Sequence, residues 1–324
     1  HPNQKPLDFS FLKIEQYGLS AIVREFSTFS ELLDAFYEER DRIERMRVKE
    51  QDILRILSTT SDRLSRKINV QKEELKRCAE RETLKIYGDL ISANLYQIEK
   101  GISSVTLQNY YDPALPTVKI KLDPAFSPSQ NAQKYYKEYR KAKTAEEKLT
   151  QQIEQAKQEL EYLDTVLDEL SRVVTEKDLS EIRQELMEQG YVKMPRGKQK
   201  SPALSQPSEF ESSEGFRILV GRNNRQNDKS TLKQAKNYDM WLHTKNIPGS
   251  HTVIVSDGKA ITDQAILEAA KIAAWYSRGR DSSQVPVDYT QIRNVSKPQG
   301  AKPGMVIYVN YKTVYVTPEN PEKK

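Results

Sequence analysis

The chain has 324 residues, of which 37% are hydrophobic and 30% charged, too little apolar material for one compact globule and enough for globular parts joined to exposed helix. Its formal charge of +5 is uneven: residues 215–324 hold 17 Lys and Arg against 9 Asp and Glu, a balance of +8, and the remainder comes to −3. A membrane helix, a standard signal peptide and an intrachain disulfide are excluded, because there is no run of about 18 apolar residues, no basic-then-apolar pattern after His1-Pro2-Asn3, and no cysteine besides Cys78.

Leu7 to Ile14 and Leu19 to Arg24 read as two short strands meeting at Tyr17-Gly18. Two strands do not stand alone, so residues 1–28 are expected to be the remnant of a larger N-terminal domain, and a start at His1 in place of Met points the same way. Ser27-Thr28-Phe29-Ser30-Glu31 offers a capping hydroxyl and an acidic first turn. From Ser30 to Glu82 there is no proline or glycine, and Ile53, Leu57, Leu64, Ile68 and Leu75 form a narrow apolar stripe suited to one partner helix. A short helix around Tyr87 to Lys100 precedes period-two alternation in Val105-Thr106-Leu107 and Val118-Lys119-Ile120-Lys121-Leu122, which predicts a β-hairpin at about 104–122.

From Tyr135 and Tyr139 through Leu149, Ile153, Ala156, Leu160, Leu163, Leu167 and Leu170 to Val174, apolar residues recur three and four apart, a heptad pattern. Two such helices flanking a hairpin predict one antiparallel coiled coil within the chain, Arg42 to about Arg81 against Ser129 to about Glu188, with the hairpin at its tip. Dimerisation is the competing use of the same heptads. Residues 29–192 are thus a coiled-coil middle region, and 193–214 a basic, Ser/Pro-rich linker. Residues 215–324 follow as an α+β domain, with strands at Phe216 to Val220, Asp239 to Leu242, Thr252 to Val255, Val306 to Val309 and Thr313 to Val316, and a helix from Asp263 to Tyr276. The fold class of the whole is α+β.

Polar chemistry concentrates in this last domain. Gly221-Arg222-Asn223-Asn224-Arg225-Gln226-Asn227-Asp228 follows a strand and is rich in donors for phosphate, sugar and base edges. Asp239-Met240-Trp241-Leu242-His243 and Ile247-Pro248-Gly249-Ser250-His251 add a flat ring for base stacking and two imidazoles; the structural alternative is that the amides form turns and Trp241 is core. The candidate RNA-binding residues are Arg222, Asn223, Asn224, Arg225, Asn227, Asp239, Trp241, His243 and His251, with Asp239 expected to orient His243 or a nearby donor. A metal site from Asp239, His243 and His251 is disfavoured by the missing cysteines and by Pro248-Gly249 between the histidines. No P-loop, complete glycine fingerprint or nucleophile elbow is present, so neither catalysis nor a cofactor is expected.

The runs Gly215 to Asp228, Asp239 to His243 and Ile247 to His251 resemble the C-terminal RNA-binding domain of the NFACT family, and Phe26 to Tyr37 with the heptad helices resembles that family's middle region. The resemblance covers nearly the whole chain and implies a cytoplasmic ribosome quality control factor. Such a factor engages the large ribosomal subunit and tRNA in support of untemplated alanine tailing of stalled nascent chains. It also implies that most of the family's N-terminal domain is missing here. Some bacterial members are described as surface adhesins for fibronectin and fibrinogen despite lacking signal peptides. Adhesion is therefore the alternative function, with a non-classical route to the cell surface.

Overall fold

A computed structural model describes residues 6–14, 22–194 and 205–321. The chain runs α1 (Phe29–Cys78), α2 (Arg81–Ala93), β1 (Ser104–Gln108), β2 (Thr117–Lys121), α3 (Pro128–Ser171), α4 (Glu176–Glu188), β3 (Ser208–Glu211), β4 (Arg217–Val220) and α5 (Asn224–Lys229). It continues through β5 (Met240–Thr244), β6 (Thr252–Val255), α6 (Asp263–Trp275), β7 (Val285–Gln291), β8 (Val295–Ser296), β9 (Ile307–Tyr308) and β10 (Lys312–Val316). This is the α+β fold that the sequence predicts. By backbone contacts the chain divides into two units, residues 61–160 and the remainder.

The unit 61–160 holds the far parts of the two long helices and the hairpin. Gln71 donates to the Gln152 side chain at 2.6 Å and Arg81 pairs with Glu146, so rising numbers on α1 meet falling numbers on α3. The helices are therefore antiparallel within one chain. Leu64, Ile68, Ile153 and Ala156 are buried along them, and the half-buried Gln71–Gln152 bond joins the two helices at their rim. Pro128 opens α3, where a missing N–H costs nothing. Ser127 and Gln130 cap it reciprocally at 2.9 and 3.3 Å. At the tip, β1 and β2 pair antiparallel from Ser104↔Lys121 to Gln108↔Thr117. Leu107 and Ile120 on the hairpin, Leu90 and Ile91 on α2, and Ala132 on α3 share one small core.

In the other unit, α1 starts with a reciprocal cap between Thr28 and Glu31, as the sequence signals. The terminal domain is a six-stranded antiparallel sheet in the order β10-β7-β5-β6-β4-β3. One face, with Ile218, Val220, Leu242, Ile254 and Val287, buries the alanine-rich side of α6. On the opposite face Trp241 and Val253 are covered by Ile292, Val295, Val306 and Tyr308.

Four expectations need correction. The described residues 7–14 and 22–28 carry no strand, and the Tyr17-Gly18 turn lies outside the described residues. The heptad helix does not run to Glu188: it ends at Ser171, because Thr175 starts a new helix through a capping box with Asp178 (3.1 and 3.3 Å). The expected 193–214 linker is cut short by β3, where Ser208 to Glu211 pairs with β4 and adds an edge strand; Met194 to Leu204 falls largely outside the described residues. Finally, the strand expected at Val306 to Val309 shortens to Ile307–Tyr308, which pairs with β8 outside the main sheet, and the main sheet gains β7, which the sequence reading did not give. Pro286 argues against a strand in sequence, yet it sits near the start of β7 and its carbonyl accepts from Lys245 N at 2.9 Å.

Thr175→Ala removes the cap that divides α3 from α4. It should lower the chain's unfolding free energy by about 1 kcal/mol, read as a lower denaturant midpoint with an unchanged slope.

Candidate nucleic-acid interface

The donor-rich loop after β4 is built tightly. Gly221 has no room for a side chain, since a Cβ there would collide with Asn227. Asn223 caps α5 by accepting from Gln226 N at 3.0 Å. The loop lies against α4, whose Asp178, Glu181, Glu185 and Glu188 are spaced three, four and three apart and therefore share one face.

Each acid meets a loop donor. Asp178 pairs with Arg222 at 3.4 Å and Glu188 with Arg225 at 3.7 Å. Glu181, fully buried, accepts from Asn223 Nδ2 at 2.7 Å, Gln226 Nε2 at 3.0 Å and Ser205 N at 2.6 Å. Glu185 accepts from Tyr162 OH at 2.8 Å and Asn224 Nδ2 at 3.3 Å, while Asn224 also donates to Thr165 Oγ1. The end of α3 joins the same seam: buried Arg172 bridges Asp168 at 2.6 Å and Ser250 Oγ at 2.7 Å.

These acids are not electrostatically alike. Burial pushes the Glu181 carboxyl up, but its hydrogen bonds from Ser205, Asn223 and Gln226 outweigh that and hold it below the ordinary range. Burial raises Glu185 to about 7 against the opposing pull of Tyr162 and Asn224. Glu169, also buried, is raised well above the ordinary range by burial and by the neighbouring Glu185 charge.

The remaining candidates form a second group behind the loop. Trp241 is buried and stacks on His243 (centroids 5.8 Å apart, planes 6° off parallel), with His251 edge-on at 5.3 Å and Tyr308 at 4.7 Å. His251 is held at both nitrogens, by Thr231 Oγ1 at 2.8 Å and the Gly304 carbonyl at 3.1 Å, and its backbone N donates to Asn227 Oδ1 at 3.1 Å. His243 Nε2 lies 3.3 Å from the Gly249 carbonyl. Burial depresses both imidazoles, His251 strongly and with the His243 charge adding to it, so at neutral pH the pair is uncharged.

Sequence reasoning thus finds a real cluster with different surroundings. Arg222, Asn223, Asn224 and Arg225 come together, but against α4. Asn227 ties the loop to His251, and the Trp241 face expected to meet a base meets His243 instead. Asp239 does not orient His243: buried, it accepts from Ser256 N at 3.0 Å and Lys236 N at 2.8 Å, fixing the turn into β5. What the reading missed is α4. Its acids alternate with the apolar stripe Leu179, Ile182 and Leu186, all buried, and an acidic stripe beside an apolar one was the available signal for a docked face.

A family model for NFACT N-terminal and middle domains matches residues 1–204, and one for the NFACT protein RNA binding domain matches residues 207–310. The chain belongs to the NFACT family. It is 42% identical over 312 residues to a protein named Rqc2 homolog RqcH from Bacillus subtilis, covering 95% of this chain and 54% of that one. A protein of the same name from Streptococcus suis is 37% identical, covering 90% and 52%. The chain thus spans about half the length of the curated relatives it matches. A solved structure of the C-terminal part of the fibronectin/fibrinogen-binding protein from Streptococcus suis superposes with a TM-score of 0.68 at 32% identity, covering 85% of this chain and 96% of that one. The seam between α4 and the loop therefore joins the two NFACT segments, and β10 lies just beyond the matched RNA-binding segment.

Two outcomes follow for the seam. Glu181→Ala strands the Asn223, Gln226 and Ser205 donors and should cost about 3 kcal/mol, measured by chemical denaturation. Glu185 binds its proton more tightly when folded, so its contribution is present below the ordinary carboxylate range and is lost as pH rises through about 7. Glu185→Gln keeps an acceptor oxygen for Tyr162 and Asn224; it should raise the melting temperature at about pH 8 and flatten its rise between about pH 8 and pH 6, read by calorimetry.

Proposed function

We propose that this chain is the ribosome- and RNA-engaging part of a ribosome quality control factor. It would hold the large ribosomal subunit and tRNA while alanine is added without a template to a stalled nascent chain. The observation that carries this reading is the match of both NFACT segments along one chain, at 42% identity to the Rqc2 homolog RqcH of Bacillus subtilis. Physical features support it. The terminal domain is basic, and a polyanion is the partner that such a field attracts. The buried seam attaches that domain to the ends of α3 and α4, so an RNA gripped by the sheet domain would be positioned by the helices. In this reading the chain binds and orients, takes no chemical step of its own and works in the cytoplasm.

Host-matrix adhesion is the second reading, favoured by the name of the solved Streptococcus suis relative, fibronectin/fibrinogen-binding protein. Capture of fibronectin through added strands uses extended, unpaired segments, so a folded surface would have to serve.

Affinity purification of the tagged chain from its own cells, at low and high salt, separates the two. Recovery of large-subunit RNA and tRNA that falls steeply with salt is the expected result, because lysines and arginines release counterions from phosphate. Absence of ribosomal material together with saturable fibronectin binding would reverse the ranking.

A further inference from the structure

The sheet face away from α6 is covered unevenly. Toward β6 it is closed over Trp241 and Val253. At the other side β10 is an outer strand, paired among the described residues with β7 alone. Thr313 and Tyr315 alternate along it and so share a face; Thr313 meets Asp288 at 2.5 Å and Lys245 at 3.4 Å, which places that face away from α6, and Tyr311, just before the strand, joins it under Lys245.

Here two rings stand in solvent. Tyr315 is 67% exposed and Tyr311 45%. Tyr311 is held in place, with Lys245 Nζ 4.7 Å over its ring and Tyr308 edge-on at 5.2 Å. The carboxylate Asp288 on this face is buried and already engaged by Thr313, Lys245 and Tyr308 OH (2.9 Å).

We propose that Tyr311 and Tyr315, with Lys245 over the Tyr311 ring, form a stacking surface for unpaired RNA bases. The inference rests on the RNA-binding reading above and deepens it by naming where the RNA lies. Two observations carry it. Exposed aromatics on an open sheet face stack bases whatever their sequence, and the positive domain as a whole draws the phosphates. The loop from Arg222 to Gln226, by contrast, faces the carboxylates of α4, so an RNA on the docked domain needs another surface. An apolar protein partner fits less well, because Lys245 lies over one of the rings and the domain as a whole is positive.

The test uses the full chain, with fluorescence anisotropy of a short labelled oligouridylate and of an abasic strand of the same length. The wild type should prefer the oligouridylate. Tyr311→Ala with Tyr315→Ala should weaken it about tenfold or more and leave the abasic strand unchanged. Phe at both positions should restore binding. Tyr315→Ala alone, at a largely exposed site, gives the same direction if the double variant misfolds. Equal binding of oligouridylate by wild type and the folded alanine variants overturns the proposal while leaving RNA binding intact. Unchanged RNA affinity with loss of a ribosomal protein from purified material makes the patch a protein contact and overturns it too. Failure of the wild type to bind either strand defeats the RNA reading itself.

Discussion

Glu181 is the point on which the arrangement of this domain depends. A carboxylate removed from water loses more than any single bond returns, so it is tolerated only where several donors converge. Here a backbone amide and two side-chain amides do so within 3.0 Å. Those donors come from two stretches, Ser205 before β3 and Asn223 and Gln226 after β4, and meet only if the sheet domain sits in one orientation on α4. Apolar surface would hold the two parts together without choosing an angle; amides that must point at one pair of oxygens choose it. Asn223 does so while also capping α5, so loop conformation and docking are set by the same side chain.

That docking explains why the last turns of α3 are buried more widely than a coiled coil requires. Tyr162, Leu163, Val166, Asp168, Glu169 and Leu170 are all buried, which a stripe facing one helix cannot achieve. Polar members of the set are accommodated by function of place: Tyr162 donates to Glu185, and Asp168 receives Arg172. Lys302 lies over the stacked rings of Tyr162 and Tyr191 at 5.5 and 5.0 Å, and Gly304, two residues on, adopts a left-handed φ of 76° where a Cβ would strike Asn224. The loop before β9 thus depends on glycine for the same close approach that Gly221 allows after β4.

The sequence made the periodic elements legible and the polar ones misleading. The helices α1 and α3, the hairpin, and α6 follow from spacing alone because each buries a regular stripe. The break at Thr175 was written in the Thr175–Asp178 cap, but unbroken heptads on either side hid it. β7 was masked by Pro286, whose cost is small where the strand begins. An Arg-Asn-Asn-Arg run is chemically suited both to a phosphate backbone and to a row of carboxylates, and the second sat some forty residues upstream, at a distance no local pattern reports.

The same substitution of carboxylate for phosphate changes what the charge distribution means. Counted along the sequence, residues 215–324 are strongly positive. Counted in space, part of that charge is already answered from outside the segment: Arg222 by Asp178, Arg225 by Glu188, and Arg278 by Asp164 at 3.6 Å. The near-neutral helical region therefore delivers its acids to one side of the basic domain, and the domain's positive field is weakened where α3 and α4 dock. Screening confines exposed charges to roughly 10 Å at moderate ionic strength, so this local pairing is not averaged over the surface. A polyanion approaching the docked domain meets least repulsion away from the acidic helix face, which gives the open edge at β10 an advantage that the net charge alone does not disclose.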